Sequence, residues 1–438
     1  MVSQYFRRQI LEAVCIGSLF AVLSSPASAA APAAGTIAGP APAAASGPAA
    51  ASPAAPASSV MTVPGMAPVS DASNLYSEIA AGRFSPAVKG ALERVYVPNH
   101  TSGDVYVIDP ASMKVVDRFK VGVNPQHVVP SWDLQTLWVA NNAEGRRDGS
   151  LTPIDPKTGK PGKTILVEDP YNMYFTPDGK SAIVVAEAFK RLDFRHPQTM
   201  ALQHAISTPT CKGINHADFS IDGKFAIFTC EFNGSLVKVD LVNNKVLGSL
   251  SLTKKNLPKT VLPSPDGLGQ EICTTNSGMP QDVRVSPDGK LFYVADMMAD
   301  GVFVVDGDKF VQLDFIPTGV GAHGLYPSRD GKKLYIINRG SNKIRGKPHG
   351  KGSVSVLDFA TRKVEAVWKI PGGGSPDMGN VSADGKQLWL SGRYDDVVYV
   401  FDTTTGKVTS IPVGKQPHGL TVWPQPGRYS LGHTGNMR

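Results

Sequence analysis

The 438-residue chain is poor in charge and in cysteine. Charged residues make up 18% of it, too few for a disordered polyelectrolyte, so most of the chain folds. No apolar run reaches about 18 residues, which excludes a polytopic membrane protein. The 4 cysteines include no CxxC pair and no CxxCH haem-attachment motif. Net charge is a modest +7, and no groove of interleaved basic and aromatic residues stands out, so no nucleic-acid partner is expected. What the chain does have is 44 Gly and 35 Pro. That many turn residues argue against a helical bundle.

Residues 1–29 read as an export signal. Arg7 and Arg8 give a charged start, an apolar stretch follows from Ala13 to Leu23, and Ala27-Ser28-Ala29 supplies small residues for cleavage. The mature protein is expected to start near Ala30 and to work in the periplasm or outside the cell, with no transmembrane segment. Residues 30–69 read as a disordered Ala/Pro-rich linker, because such a composition cannot bury enough apolar surface to offset its ordering entropy. Residues 70–92 regain Leu75, Tyr76, Ile79, Phe84, Val88 and Leu92, and read as a strap or short helix lying on the domain.

Residues 93–438 repeat themselves. Pro177-Asp178-Gly179-Lys180 recurs as Ile221-Asp222-Gly223-Lys224, Pro287-Asp288-Gly289-Lys290, Arg329-Asp330-Gly331-Lys332 and Ala383-Asp384-Gly385-Lys386. Asp-Gly suits a hairpin turn, since Gly takes the positive φ and Asp caps the turn. The turns lie about 42 to 66 residues apart, a period that with four short strands per unit marks propeller blades. First strands begin near His127, Asn172, His216, Asp282, His323, Asp377 and His418, which makes seven. The last copy has only its first strand and the N-terminal copy lacks one. The expectation is an all-β, seven-bladed propeller, closed where the C-terminal strand joins the N-terminal blade.

Val95-Tyr96-Val97-Pro98-Asn99, Trp138-Val139-Ala140-Asn141 and the Pro-Asp-Gly-Lys turns resemble the YVTN-repeat, YncE-like propellers of bacterial envelopes. The resemblance is specific for fold. It spans metal-binding propellers, lactonases, haem-binding propellers of nitrite reductases and copper oxidoreductases, and so leaves function open.

First-strand starts and second-strand ends surround one mouth of a propeller's channel. The former carry His127, His216, Asp282, His323, Asp377 and His418, the residue types that Zn or Cu selects, together with Asn172. His127, Asn172, His216 and Asp282 stand six residues before their turn Asp, whereas His323 and Asp377 stand seven before theirs. A one-residue offset reverses side-chain direction in a strict strand. Two half-sets follow: His127, His216 and Asp282; and His323, Asp377 and His418. Second-strand ends add Arg339 and Arg393, a candidate clamp for an anion, and Glu187 and Glu231, candidate general bases. Cys211 and Cys273, both in loops at this face, are expected to form a disulfide, leaving Cys230 as a thiol or soft ligand beside His216. Lys343, Arg345, Lys347, His349 and Lys351, with Arg146 and Arg147, would make a basic rim. His196 and His204 fall away from the mouth. The functional expectation is a monomer holding a metal ion or small anionic molecule; the alternatives are a metal-dependent enzyme and a scaffold for an envelope protein partner.

Overall fold

A computed structural model describes residues 60–254, 260–263, 271–274, 278–343, 350–433 and 435–438. The expected export signal and most of the expected linker lie outside these residues. So do Arg345, Lys347 and His349 of the basic rim.

Seven four-stranded antiparallel sheets make a seven-bladed propeller. Taken by first strand, blades 2 to 7 begin with Pro125–Pro130, Pro170–Phe175, Ile214–Phe219, Pro280–Val285, Ala322–Pro327 and Pro376–Val381. Blade 1 takes Arg94–Asn99, Asp104–Asp109 and Lys114–Lys120 from the start of the ring and Thr421–Trp423 from its end. Arg94 pairs with Trp423 and Tyr96 with Thr421, so the two ends of the ring share one sheet. An extra hairpin, Thr260–Pro263 with Glu271–Thr274, lies outside the seven sheets.

The blades form because their strands alternate correctly and their turns carry the right residues. In the turn at Asp178, the carboxylate accepts from Thr176 Oγ1 and Lys180 N, and the same pattern recurs at Asp222, Asp288, Asp330 and Asp384. First strands are buried throughout and second strands at every residue after their first, as in Ile214–Phe219 and Phe225–Cys230, while the fourth strands alternate exposed and half-buried residues, as in Lys245–Ser251. The core therefore lies between blades: Ile227, Val283, Phe292, Val294 and Phe303 pack as one such layer.

The turn side of the ring is covered. Residues 60–92 run across it with two 3-10 turns, Leu75–Ile79 and Pro86–Val88. Val63 N donates to Asp222 O, Leu75 N to Pro287 O and Tyr76 OH to Val285 O. Beyond Trp423 the chain turns inward. Phe175 N donates to Leu431 O and His433 N to Met173 O, so the C-terminal residues line blade 3's first strand inside the channel. Gly432 sits at φ +105 against the Met173 carbonyl, where a Cβ would collide, which is what lets the tail approach so closely. Among the described residues, no helix is long and apolar enough to cross a membrane.

Candidate functional site

Each first strand gains one residue against its partner near the mouth. The shifts fall between Pro125 and His127, Pro170 and Asn172, Ile214 and Ala217, Pro280 and Val283, Ala322 and Leu325, and Pro376 and Gly379. A bulge sets two residues against one. Every blade thus offers two consecutive positions to the channel. Gln126, Tyr171, Asn215, Gln281, His323 and Asp377 take the first; His127, Asn172, His216 and Asp282 take the second. In blade 1 the Asn99–Pro417 bridge precedes His418 and Gly419 in the same way. The one-residue offset in the sequence therefore corresponds to two tiers.

In the upper tier Asp377 is the hub. Its carboxylate lies 3.0 Å from His323 Nδ1 and 2.8 Å from His418 Nδ1. Arg339 Nε and Arg393 Nη1 each lie 3.6 Å from it. Burial alone would raise the Asp377 carboxyl; His323, Arg339 and His418 outweigh it and hold it well below its ordinary value. Burial and the Arg393 charge push the His418 imidazole down to about 4.

The lower tier is a packed group of imidazoles. His127, His216 and His433 present ring nitrogens that all lie within 4.8 Å of one another, and all three are buried. The Asn172 amide lies 3.1 Å from His216 Nδ1 and 2.8 Å from His433 Nδ1, which orients both rings. Neither ring nitrogen of His127, nor Nε2 of His216, has a hydrogen-bond partner. Gly419 makes room for the His127 ring, since a Cβ there would strike its Nδ1. Burial drives His127, His216 and His433 well below the ordinary imidazole value, and neighbouring imidazoles add to the shift. All three are neutral at pH 7, the state in which imidazole binds metal.

Above the tiers opens a cavity of about 440 Å³. The residues that follow the second strands line it: His100, Asn142, Glu187, Glu231, Arg339 and Arg393. Asn215 Nδ2 donates to Glu231 at 2.8 Å. Burial raises the Glu187 carboxyl well above its ordinary value, and the Glu231 charge raises it further. Burial raises Glu231 too, against the pull of Gln281 and Arg339.

Two expectations need correction. Cys211 bonds to Cys230, not to Cys273. Cys230 pairs in register with Ile214, three residues after Cys211, and the two Cα atoms stand 5.0 Å apart. The backbone of Cys273 instead pairs with Val261 in the extra hairpin. Cys230 is therefore neither a free thiol nor a ligand. Asp282 does not complete a triad with His127 and His216. Its oxygens accept from Arg284 Nη2 at 3.1 Å, Leu325 N at 2.9 Å and Val283 N at 2.9 Å. His433 stands in that place, with Nε2 3.6 Å from Asp282. It belongs to no repeat, and its only signal in the sequence is a His between two glycines in a buried tail. Two of the described rim residues are paired: Arg146 with Asp148, and Arg147 with Glu168. His196 begins the bend into Leu202–Ser207, and His204 stacks on Phe194, both away from the mouth.

Comparison with known proteins agrees with this architecture. A family model described as a YNCE-like beta-propeller matches residues 53–199 and 269–426, more than half of the chain. The uncharacterized protein YncE of Salmonella typhi is 23% identical over 312 residues, covering 66% of this chain and 74% of that one. Antigen Lp49 of Leptospira interrogans is 28% identical over 175 residues, covering 34% of this chain and 35% of its own, so the match spans about a third of that relative's length. The periplasmic gluconolactonase PpgL of Pseudomonas aeruginosa superposes with a TM-score of 0.55 at 19% identity, covering 75% of this chain and 98% of PpgL. That likeness is one of fold.

Proposed function

The chain belongs to the YNCE-like beta-propeller family, and from that premise we propose that it is an exported binding protein that holds a transition metal ion in its channel beneath a pocket for a small anionic molecule. The observation that carries the reading is His127: a fully buried imidazole with both nitrogens unpartnered, facing two more imidazoles within 4.8 Å. Leaving such groups unsatisfied costs roughly 1–3 kcal/mol each unless a ligand takes them up. Three neutral imidazoles with an open fourth position suit Zn or Cu. His127, His216 and His433 would hold the ion, and Asn172, with its amide oxygen turned to accept from the Nδ1–H groups of His216 and His433, would fix two of the rings and leave their Nε2 atoms free to ligate. Export to the periplasm fits the Cys211–Cys230 disulfide, which persists in an oxidising compartment.

The test is elemental mass spectrometry of mature protein purified without a chelating tag. The expected result is about one equivalent of Zn or Cu, lost in His127→Ala and in His433→Ala. A metal-free protein whose thermal midpoint is unmoved by either ion overturns the reading.

A second reading, a metal-dependent lactonase or lyase or a copper oxidoreductase, is favoured by Glu187, whose carboxyl is raised toward neutrality in the cavity wall. The reaction named for PpgL makes a sugar lactone the first substrate to try. Turnover that survives in both His433→Ala and Glu187→Gln removes this chemistry from the site.

A further inference from the structure

The ring of residues that follow the second strands is sorted by charge. Glu187 and Glu231 stand on blades 3 and 4, and Arg339 and Arg393 on blades 6 and 7, across the mouth. Between them, on blades 1 and 2, come His100 and Asn142. All six line the one cavity. Arg339 has side-chain exposure of only 3%, yet its Nε and Nη2 have no hydrogen-bond partner. Its remaining nitrogen meets Met297 Sδ at 3.1 Å, a weak acceptor. Nε of Arg393 is likewise unpartnered, while its Nη1 meets His418 Nδ1 at 3.1 Å. The Tyr394 ring, 5.1 Å from the Arg339 guanidinium, holds that side chain against the wall.

We propose that the cavity binds a small monocarboxylate bearing hydroxyl groups, its carboxylate seated between Arg339 and Arg393 and its hydroxyls on Glu187, Glu231, Gln126 and Gln281. The inference deepens the reading of the mouth as a binding site. Charge selects the class. The two guanidiniums share Asp377 as a counter-ion, at 3.6 Å each. One positive charge is left over on that wall, which matches one carboxylate. A phosphate would bring nearly two charges into a cavity already holding Asp377 and facing two carboxyl groups. Glu144, at the outer rim, is 52% exposed and engaged with His100 at 2.8 Å. On the far wall both glutamates have raised carboxyls, so a protonated form is available to donate to a hydroxyl and the other to accept from one. A volume of about 440 Å³ takes a small organic acid and little more.

The test is isothermal titration of the mature chain, metal-stripped and again with one equivalent of Zn. Four probes are used: glycerate and quinate as hydroxylated monocarboxylates, methyl quinate as the neutral ester, and inorganic phosphate. The expected result is binding of at least one of the two carboxylates, with the ester and phosphate at least tenfold weaker. Arg339→Gln and Arg393→Gln should each weaken the carboxylate tenfold or more while keeping the denaturation midpoint within a few degrees. Arg146→Gln, an exposed cation paired with Asp148, should leave it as it was. Neither carboxylate binding, the ester binding as tightly as quinate, phosphate binding more tightly, or both channel variants binding like the wild type overturns the proposal. Carboxylate binding by a protein that takes up no Zn or Cu would refute the metal reading and leave this one standing.

Discussion

The two ends of the channel are made from the same strands, yet the buried charged groups are paired at one end and left partly unpaired at the other. At the turn side, Asp218 accepts from Arg438 Nη2 at 2.7 Å, from Phe219 N at 2.8 Å and from Val285 N at 2.9 Å. Arg284 is bound by Asp282 and by the Leu325 carbonyl. At the mouth, His127, His216, His418, Arg339 and Arg393 each keep at least one buried polar atom without a hydrogen-bond partner. Burying polar groups costs free energy wherever it happens, and the turn side offsets that cost internally. The mouth does not, and the proposed ion and anion would take up the groups left over there. The strap and the C-terminal tail cover the turn side, so a ligand reaches the channel from the mouth.

The largest expected difference between the two ends is in their response to acid. Burial lowers all five channel imidazoles: His127, His216, His323, His418 and His433. Asp377, Arg339 and Arg393 face the upper pair, and Asp282 and Arg284 face His433. The unfolded chain takes up protons near 6.5 that the folded chain refuses. Stability is therefore full above that pH and falls as pH drops below it, by up to about 1.4 kcal/mol per pH unit for each imidazole. Metal-free protein in urea titrations between pH 7.5 and 5 should lose stability steeply. A flat profile would mean that the imidazoles are already charged or solvated.

Next in size is the paired network around Arg284, below the lower tier. Asp282→Ala leaves Arg284 buried without its nearest partner, at an expected cost of about 3–5 kcal/mol. His127→Ala, which removes a group with no partner, should cost distinctly less. Equal losses in the two variants would erase the contrast between the ends. Slightly smaller is the staple beside Glu231. Cys211 and Cys230 are 19 residues apart in the chain, and opening a loop of that size should cost about 3 kcal/mol. Non-reducing peptide mapping should recover the Cys211–Cys230 link, and Cys230→Ser should lower the urea midpoint accordingly.

The repeat, its closure and the two tiers were legible because each leaves a periodic mark. Asp-Gly turns recur because only Gly takes that φ cheaply, and the six-versus-seven spacing is the trace of which bulge position each ligand-type residue occupies. What was not legible lacks a period. His433 comes from a tail that belongs to no blade, and only the packing of Gly432 on Met173 brings it to the channel. The fate of Asp282 was half visible: Arg284 is two residues on, and i and i+2 share a face of a strand. The cysteine pairing was not, since spacing alone cannot say which of two neighbours in a loop-rich face lies in register.

The smallest effect tests the mouth directly. If His127, His216 and His433 hold an ion, Zn or Cu at a hundredfold excess over its dissociation constant should stabilise the protein by about 2.7 kcal/mol. His433→Ala should abolish that gain while leaving the metal-free stability close to that of the wild type apart from a small packing loss, because the tail stays anchored by the Arg438–Asp218 pair. Asn172→Ala should keep the ion but weaken it by roughly 10–100-fold, as expected when a group that orients two ligands is removed. If instead His323→Ala and His418→Ala remove the gain and His433→Ala does not, the ion sits in the upper tier around Asp377. The lower imidazoles would then belong to the wall of the channel rather than to the site.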